Sequence, residues 1–328
     1  MNGAIDQLGD YVANATAGTD AIRELLELHL IDTVAAWIAS TRTREGQLLL
    51  RWRADMQAAQ ADNGLSLDIC TRCALARLSE IDDMHLASMT TPGAIIIPAA
   101  LTLASALGEP TADNIAAAML AGYEAMTRLG RAIDGPTALY RGIWPTYFVA
   151  PVGVAAVTAR LLGLSAEKSA DALALALTLT APAVGHHNAV TTSRWFAVGN
   201  AARNGLAAAL AAKNGFTADR KLLDGNFLSS VYGISADLGA LTRALGENSV
   251  LAETSFKPWC AARQTMPATQ ALREIIAAGV TPAAMDEIRV FVLPPHRMAR
   301  LCPQIAGRST GDIGAMMRRP AWPDGLFT

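Results

Sequence analysis

Residues 80–100 read EIDDMHLASMTTPGAIIIPAA: two adjacent carboxylates, a histidine, a polar loop, then an apolar run entered through Pro92 and Gly93. Pro-Gly is a breaker, so Asp82 and Asp83 are predicted on a loop at the mouth of a helix whose body, residues 94–107, is core. Such a loop is held by rigid neighbours yet stays reachable, which suits a functional site. The plainer role for either aspartate is to cap the following helix or close an Asx turn.

Upstream, Thr19 and Asp20 form an N-cap signal before AIRELLELHLIDTVAAWIAS, apolar on most of its circumference and therefore a central helix. His29 and Asp32 share one face of it at i and i+3, the spacing of a satisfied pair between helices. Residues 43–60 form a more polar helix with Arg44, Arg51 and Arg53 on a solvated face, and residues 67–78 lead into the aspartate loop.

Downstream, GEPTADN is a turn and cap before a helix over residues 115–133, where Glu124 and Arg128 stand in the favourable i, i+4 order. Residues 134–153, DGPTALYRGIWPTYFVAPVG, read as an irregular break that folds onto the core and lines a cavity. Ser165 caps a helix that stops at Pro182. A second polar stretch, GHHNAVTTSRW over residues 185–195, precedes another helix that ends at Asn214-Gly215, and residues 224–233 read as a loop. His186 and His187 are adjacent, so they point apart on any regular element and do not suit one shared metal. Beyond residue 250 a loop and a helix lead to MDEIRVFVLPP, residues 285–295, which alternates like a short strand. The expected fold is mainly α: a large all-helical domain over residues 1–250, and a small, truncated α+β lid-like region over 251–328.

Composition agrees with buried helices. Of the 328 residues, 52% are hydrophobic and 17% charged, so most helices are covered on several sides. A net charge of −2 supplies no basic stripe for nucleic acid and no polybasic membrane anchor. The most apolar runs, residues 94–107 and 147–164, are interrupted by Pro98 and by Pro151 and Arg160, short of a membrane span. The start, MNGAIDQLGD, lacks a basic and apolar leader, so a cytoplasmic location is expected. Four cysteines make no disulfide framework, and the C-x-x-C of Cys70 and Cys73 lacks a second pair for zinc. No metal or cofactor is expected.

The order of DDMHLASMTTPGAIIIPAA, AGYEAMTRLGRAI, YRGIWPT, VAAVTARLLGLSAEK, GNAARNGLAAALAAKNGFT and SFKPWCA resembles the MmgE/PrpD family over nearly the whole chain. That family includes 2-methylcitrate dehydratase, cis-aconitate decarboxylase and iminodisuccinate epimerase. The resemblance implies a helical domain with a smaller lid, a homodimer, and cofactor-free chemistry at a carbon beside a carboxylate. Asp82, Asp83 and His85 match the family's aspartate motif, but Met84 replaces its threonine and Thr91 a following histidine. Trp144 in GIWPT stands where the family has a second histidine, and Arg194 where it has a lysine. Lys257 is retained in the lid-side K-P motif, while the stretch after it offers Arg263 and no histidine. The sequence stops soon after the lid begins, where the family normally continues.

Removing a proton beside a carboxylate needs a positioned base and donors for the charge that develops. Loss of two imidazoles disfavours the ordinary mechanism, and Arg194 cannot be a base because its pKa exceeds about 12. Asp83, His85 and Lys257 are the candidate catalytic residues. Asp82, Met84, Thr91, Trp144, Tyr147, His186, Arg194, Trp195, Trp259 and Arg263 are the candidate substrate contacts. Three readings follow: a cofactor-independent lyase, isomerase or cyclase for a larger, less anionic small molecule; an ordinary family dehydratase, decarboxylase or epimerase with His186 or His187 compensating; or a non-catalytic binding homologue.

Overall fold

Four helices open on a Ser or Thr whose hydroxyl accepts a first-turn N–H, satisfying a donor the helix itself leaves unpaired. Thr19 does this for Ile22, Thr43 for Gly46, Thr111 for Asn114 and Ser165 for Lys168. The computed structural model describes residues 3–61, 64–108, 110–180, 191–261 and 263–290. The chain is mainly α-helical. Its first five helices are α1 (Ala4–Asn14), α2 (Asp20–Ser40), α3 (Arg44–Ala58), α4 (Gly64–Leu78) and α5 (Gly93–Ala106). Then come α6 (Ala112–Ala132), α7 (Gly135–Tyr140), α8 (Pro145–Leu161), α9 (Ala166–Thr178) and α10 (Ser193–Lys213). The shorter α11 (Phe227–Tyr232) and α12 (Leu238–Thr242) precede α13 (Met266–Ala277).

Helix α8 is buried from Pro145 to Ala159, and α6, α9 and α10 pack around it. Helix α10 also lies on α4. These crossings need glycine: a Cβ on Gly205 would stand 2.3 Å from the Pro151 carbonyl oxygen, and one on Gly199 2.4 Å from that of Cys70. The backbones therefore touch where any side chain would force them apart. Cys70 is buried at this interface, whereas Cys73 reaches the Ile95 carbonyl of α5 at 3.3 Å, and burial drives its thiol pKa up. No helix among the described residues is long and apolar enough to cross a membrane.

Several local expectations need correction. Pro151 lies inside α8, where the sequence suggested an irregular break, while Pro98 lies inside α5, as the helix expected over 94–107 requires. Both helices are almost wholly buried, so packing on every side offsets the missing N–H. The stretch over 134–153 is mostly helical, because Pro136 and Pro145 stand in first turns, where proline is favoured. Residues 227–232 form a helix closed by Gly233 at φ +65° instead of a loop.

The expected strand over 285–295 is not found in its described part: residues 285–290 have no strand and are largely exposed. Alternation alone cannot make a strand without an edge to pair with. Among the described residues the only sheet is elsewhere, β1 (Met84–His85) with β2 (Thr254–Ser255), antiparallel, Met84 opposite Ser255 and His85 opposite Thr254. This short pairing fastens the segment after residue 250 to the aspartate loop. It positions the site.

Candidate functional site

The loop between α4 and α5 carries three buried polar clusters. In the first, Asp83 accepts the Gly93 N–H at 2.8 Å through Oδ1 and the Tyr123 hydroxyl at 2.8 Å through Oδ2. His29 Nδ1 lies 3.0 Å from the same Oδ2, although the ring is not aligned for a hydrogen bond. The capping role is thus real: Asp83 satisfies the N-terminus of α5 from ten residues away. Gly93 is required, since a Cβ there would fall 2.7 Å from the Asp83 carboxylate. Burial, with Asp83 next to it, holds the Tyr123 phenol protonated as a donor.

His29 does not simply pair with Asp32, as their spacing suggested. It turns to Asp83, stacks on Phe256 at 4.3 Å between ring centres, and leaves Asp32 with an unpartnered buried oxygen. Burial and the nearby Asp83 charge push the Asp32 pKa up to about 6, against a smaller lowering by His29. A raised carboxyl pKa means that the folded state holds this proton more tightly than the unfolded chain does. Asp32 therefore costs stability progressively as pH rises from about 4 to about 6, and by a constant amount above that. Asp32→Asn is expected to melt higher than the parent at pH 7, with the gap closing as pH falls to about 4; a gap independent of pH would contradict this.

The second cluster is ionic. Asp82 Oδ1 accepts from Lys257 Nζ at 3.0 Å and from Arg77 Nη1 at 3.3 Å, and Lys257 also donates to the Glu80 carbonyl at 3.1 Å. Glu80 pairs with Arg77 and with Arg194, each at 3.3 Å. Burial favours the neutral Glu80 acid, but Arg77, Arg194 and Lys257 outweigh it and hold the carboxyl pKa below its ordinary value. Glu80 takes φ +58°, a conformation costing about 1–2 kcal/mol that its ion pairs offset. Arg194 sits in the first turn of α10 and stacks on the buried Trp195 at 4.0 Å. Its carboxylate partner is Glu80. Tyr147 is buried with its hydroxyl unpartnered, its pKa raised to about 12 by burial, while Asp82 Oδ2 and Arg77 Nε are likewise buried without partners.

Thr91 meets the WPT motif directly: its N–H and hydroxyl reach Thr146 Oγ1 at 3.1 and 3.2 Å. Trp144 is half-buried against Tyr147, with ring centres 5.4 Å apart. Thr91 thus lies against the segment that Trp144 opens. Met84 is buried in β1. Trp259 is half-buried with Arg273 over its ring at 5.2 Å, and Arg263 opens a 3-10 turn (Arg263–Thr265) farther along. His186 and His187 lie outside the described residues.

The third cluster centres on His85, 1% exposed. Its Nδ1 is 2.9 Å from Ser88 Oγ, which is 2.7 Å from Thr90 Oγ1, and its Nε2 is 2.9 Å from Arg131 Nη2. A guanidinium can only donate, so this contact favours a proton on Nδ1, shared toward Ser88, over the longer 3.2 Å donation by the Ser88 N–H. Burial and Arg131 depress the His85 pKa to about 4, against Glu253, whose carboxylate lies 3.5 Å from Nε2. The imidazole is neutral at neutral pH. Arg131, on the last turn of α6, also donates to Glu253. The sequence reading missed Arg77, Glu80, Tyr123, Arg131 and Glu253; only an arginine inside the apolar α4 offered a signal.

The chain is thus a helical protein whose acidic loop is tied to a distant lysine. The MmgE/PrpD N-terminal domain matches residues 6–232, and the chain belongs to the MmgE/PrpD family. Cis-aconitate decarboxylase of Aspergillus terreus is 30% identical over 163 residues, 48% of this chain and 33% of that protein. The cis-aconitate decarboxylase-like protein oryM of Aspergillus oryzae is 28% identical over 159 residues, 46% of this chain and 33% of that protein. Cis-aconitate decarboxylase of Homo sapiens is 29% identical over 138 residues, 41% and 28% of the two chains. The matched stretches span about a third of the relatives' length.

Proposed function

We propose that this protein is a cofactor-independent lyase or isomerase that moves a proton at a carbon beside a carboxylate, on a substrate larger and less anionic than cis-aconitate. One observation carries the reading. Every cation gathered at the loop already has a carboxylate partner in the chain itself, four cations sharing three carboxylates: Lys257 with Asp82, Arg77 with Glu80 and Asp82, Arg194 with Glu80, Arg131 with Glu253. A polycarboxylate finds little uncompensated positive charge there, while Trp144 and Tyr147 offer apolar area.

In this reading His85 is the base. A neutral imidazole takes the proton, and the electron pair passes into the substrate carboxylate, where arginine charge stabilises the enolate that forms. Lys257 and Asp83 act as positioning groups, the first tying the distal segment to Asp82 and the second fixing the loop to α5. A homodimer and a cytoplasmic setting complete the reading.

Incubation in D2O tests it, with NMR following deuterium uptake beside the carboxylate for cis-aconitate and for larger monocarboxylic acids. Uptake by the monocarboxylates is the expected result. Rapid turnover of cis-aconitate would restore the ordinary family chemistry, and no uptake by any acid would remove the catalytic reading.

A further inference from the structure

A cleft of about 220 Å³ is lined by Arg128, Arg131, Arg243, Asn248, Val250 and Glu253 among others, and two of these, Arg131 and Glu253, touch His85 Nε2 from the protein side. Three arginines converge on it from two elements, α6 and the end of α12. Their pairing is uneven. Arg128 is locked in a buried bridge to Glu124 at 2.6 Å. Arg243 is 74% exposed and stands 3.8 Å from Asp237, a loose contact. Arg131 holds Glu253, whose side chain is 52% exposed, unlike the buried Asp82 at 1% and Glu80 at 20%. Glu253 is thus the one carboxylate in these loop ion pairs that solvent reaches freely.

We infer that Glu253 occupies the position of a substrate carboxylate, and that a monocarboxylic acid entering the arginine cleft displaces it from Arg131 and so uncovers His85 Nε2. This rests on reading His85 as the base and names the substrate class for that site. The exchange is charge-neutral at Arg131: one carboxylate leaves as another arrives. A half-exposed glutamate regains water when it swings out, so the exchange needs little desolvation beyond that of the ligand. Arg243 supplies a second donor at the rim. A cleft of this size takes a chain of several carbons beyond the carboxylate.

An internal competitor lowers apparent affinity by the fraction of time it occupies the site; if Glu253 holds Arg131 about nine-tenths of the time, the loss is about tenfold. Isothermal titration of the full chain reads this, with hexanoate, no larger than cis-aconitate but singly charged, as a probe of the carboxylate position alone. Glu253→Gln is expected to bind hexanoate about tenfold more tightly than the parent, and Arg243→Gln, an exposed change that spares the core, to bind it more weakly than the parent. Equal hexanoate affinity in the parent and both variants overturns the inference. If that occurs while the parent still exchanges deuterium into larger acids, the acid/base reading survives with its substrate elsewhere. If Glu253→Gln tightens binding but no acid exchanges deuterium, the carboxylate site stands and the catalytic reading falls.

Discussion

His85→Asn is expected to lower deuterium uptake by roughly 10²–10⁴-fold, the usual contribution of a positioned base, and to shift the melting temperature little. Asparagine is close in size and can keep a hydrogen bond toward Ser88, so the loop keeps its shape while the basic nitrogen is lost. The pH profile gives a second reading that a structural role would not produce. A base must be unprotonated, and the His85 pKa lies near 4 because the ring is buried beside Arg131. The parent should therefore hold its rate as pH falls through 6.5, where an ordinary histidine would protonate, and lose it only toward pH 4. An acid limb near 6.5 would mean a different base. Unchanged uptake in the variant would mean that His85 only shapes the loop.

What the sequence disclosed and what it hid divide along the range of the interaction. The caps at Thr19, Thr43, Thr111 and Ser165 are local events, set by residues three apart, and are visible as patterns. The aspartate loop was visible for the same reason, since Pro92-Gly93 announces the helix that Asp83 then caps. The Glu124–Arg128 pair was visible as an i, i+4 spacing, and the apolar residues around it already pointed toward burial. Pairings such as Arg131 with Glu253, 122 residues apart, or Lys257 with Asp82, 175 apart, leave no periodic trace. They follow from β1 meeting β2, two residues against two, too short a pairing to read from alternation. The helix through Pro151 was hidden for a different reason. A local breaker rule gave way to burial, because helices packed on every side restrain a chain that would bend in water.

Arg128→Met should be the most destabilising change near the site, costing about 3–5 kcal/mol. Arg128 spans the joint between α6 and the segment after α12. Its Nε bonds Glu124 Oε2 at 2.6 Å, Nη1 the Arg243 carbonyl at 2.7 Å and Nη2 the Ala244 carbonyl at 3.2 Å. Glu124 completes the joint by accepting the Val250 N–H at 2.8 Å through Oε1. Ala244 is held at φ +53°, a left-handed conformation that alanine seldom adopts and that these contacts help to fix. Methionine fills most of the volume but leaves a buried carboxylate with no countercharge and two carbonyls with no donor. That mechanism, rather than lost contact area, sets the size of the effect. At about 2–4 °C per kcal/mol the melting temperature should fall by about 10 °C. The paired change Glu124→Leu with Arg128→Met removes the orphaned charge as well and should recover much of the loss, which a lost-volume effect would not do. The damage should also reach the site, because residues 250–255 carry Glu253 and β2 to the aspartate loop. Hexanoate binding should weaken in the single variant even at temperatures where it stays folded. A single variant that melts within about 2 °C of the parent, under 1 kcal/mol at that conversion, would show that the segment after α12 is held by something other than this bridge.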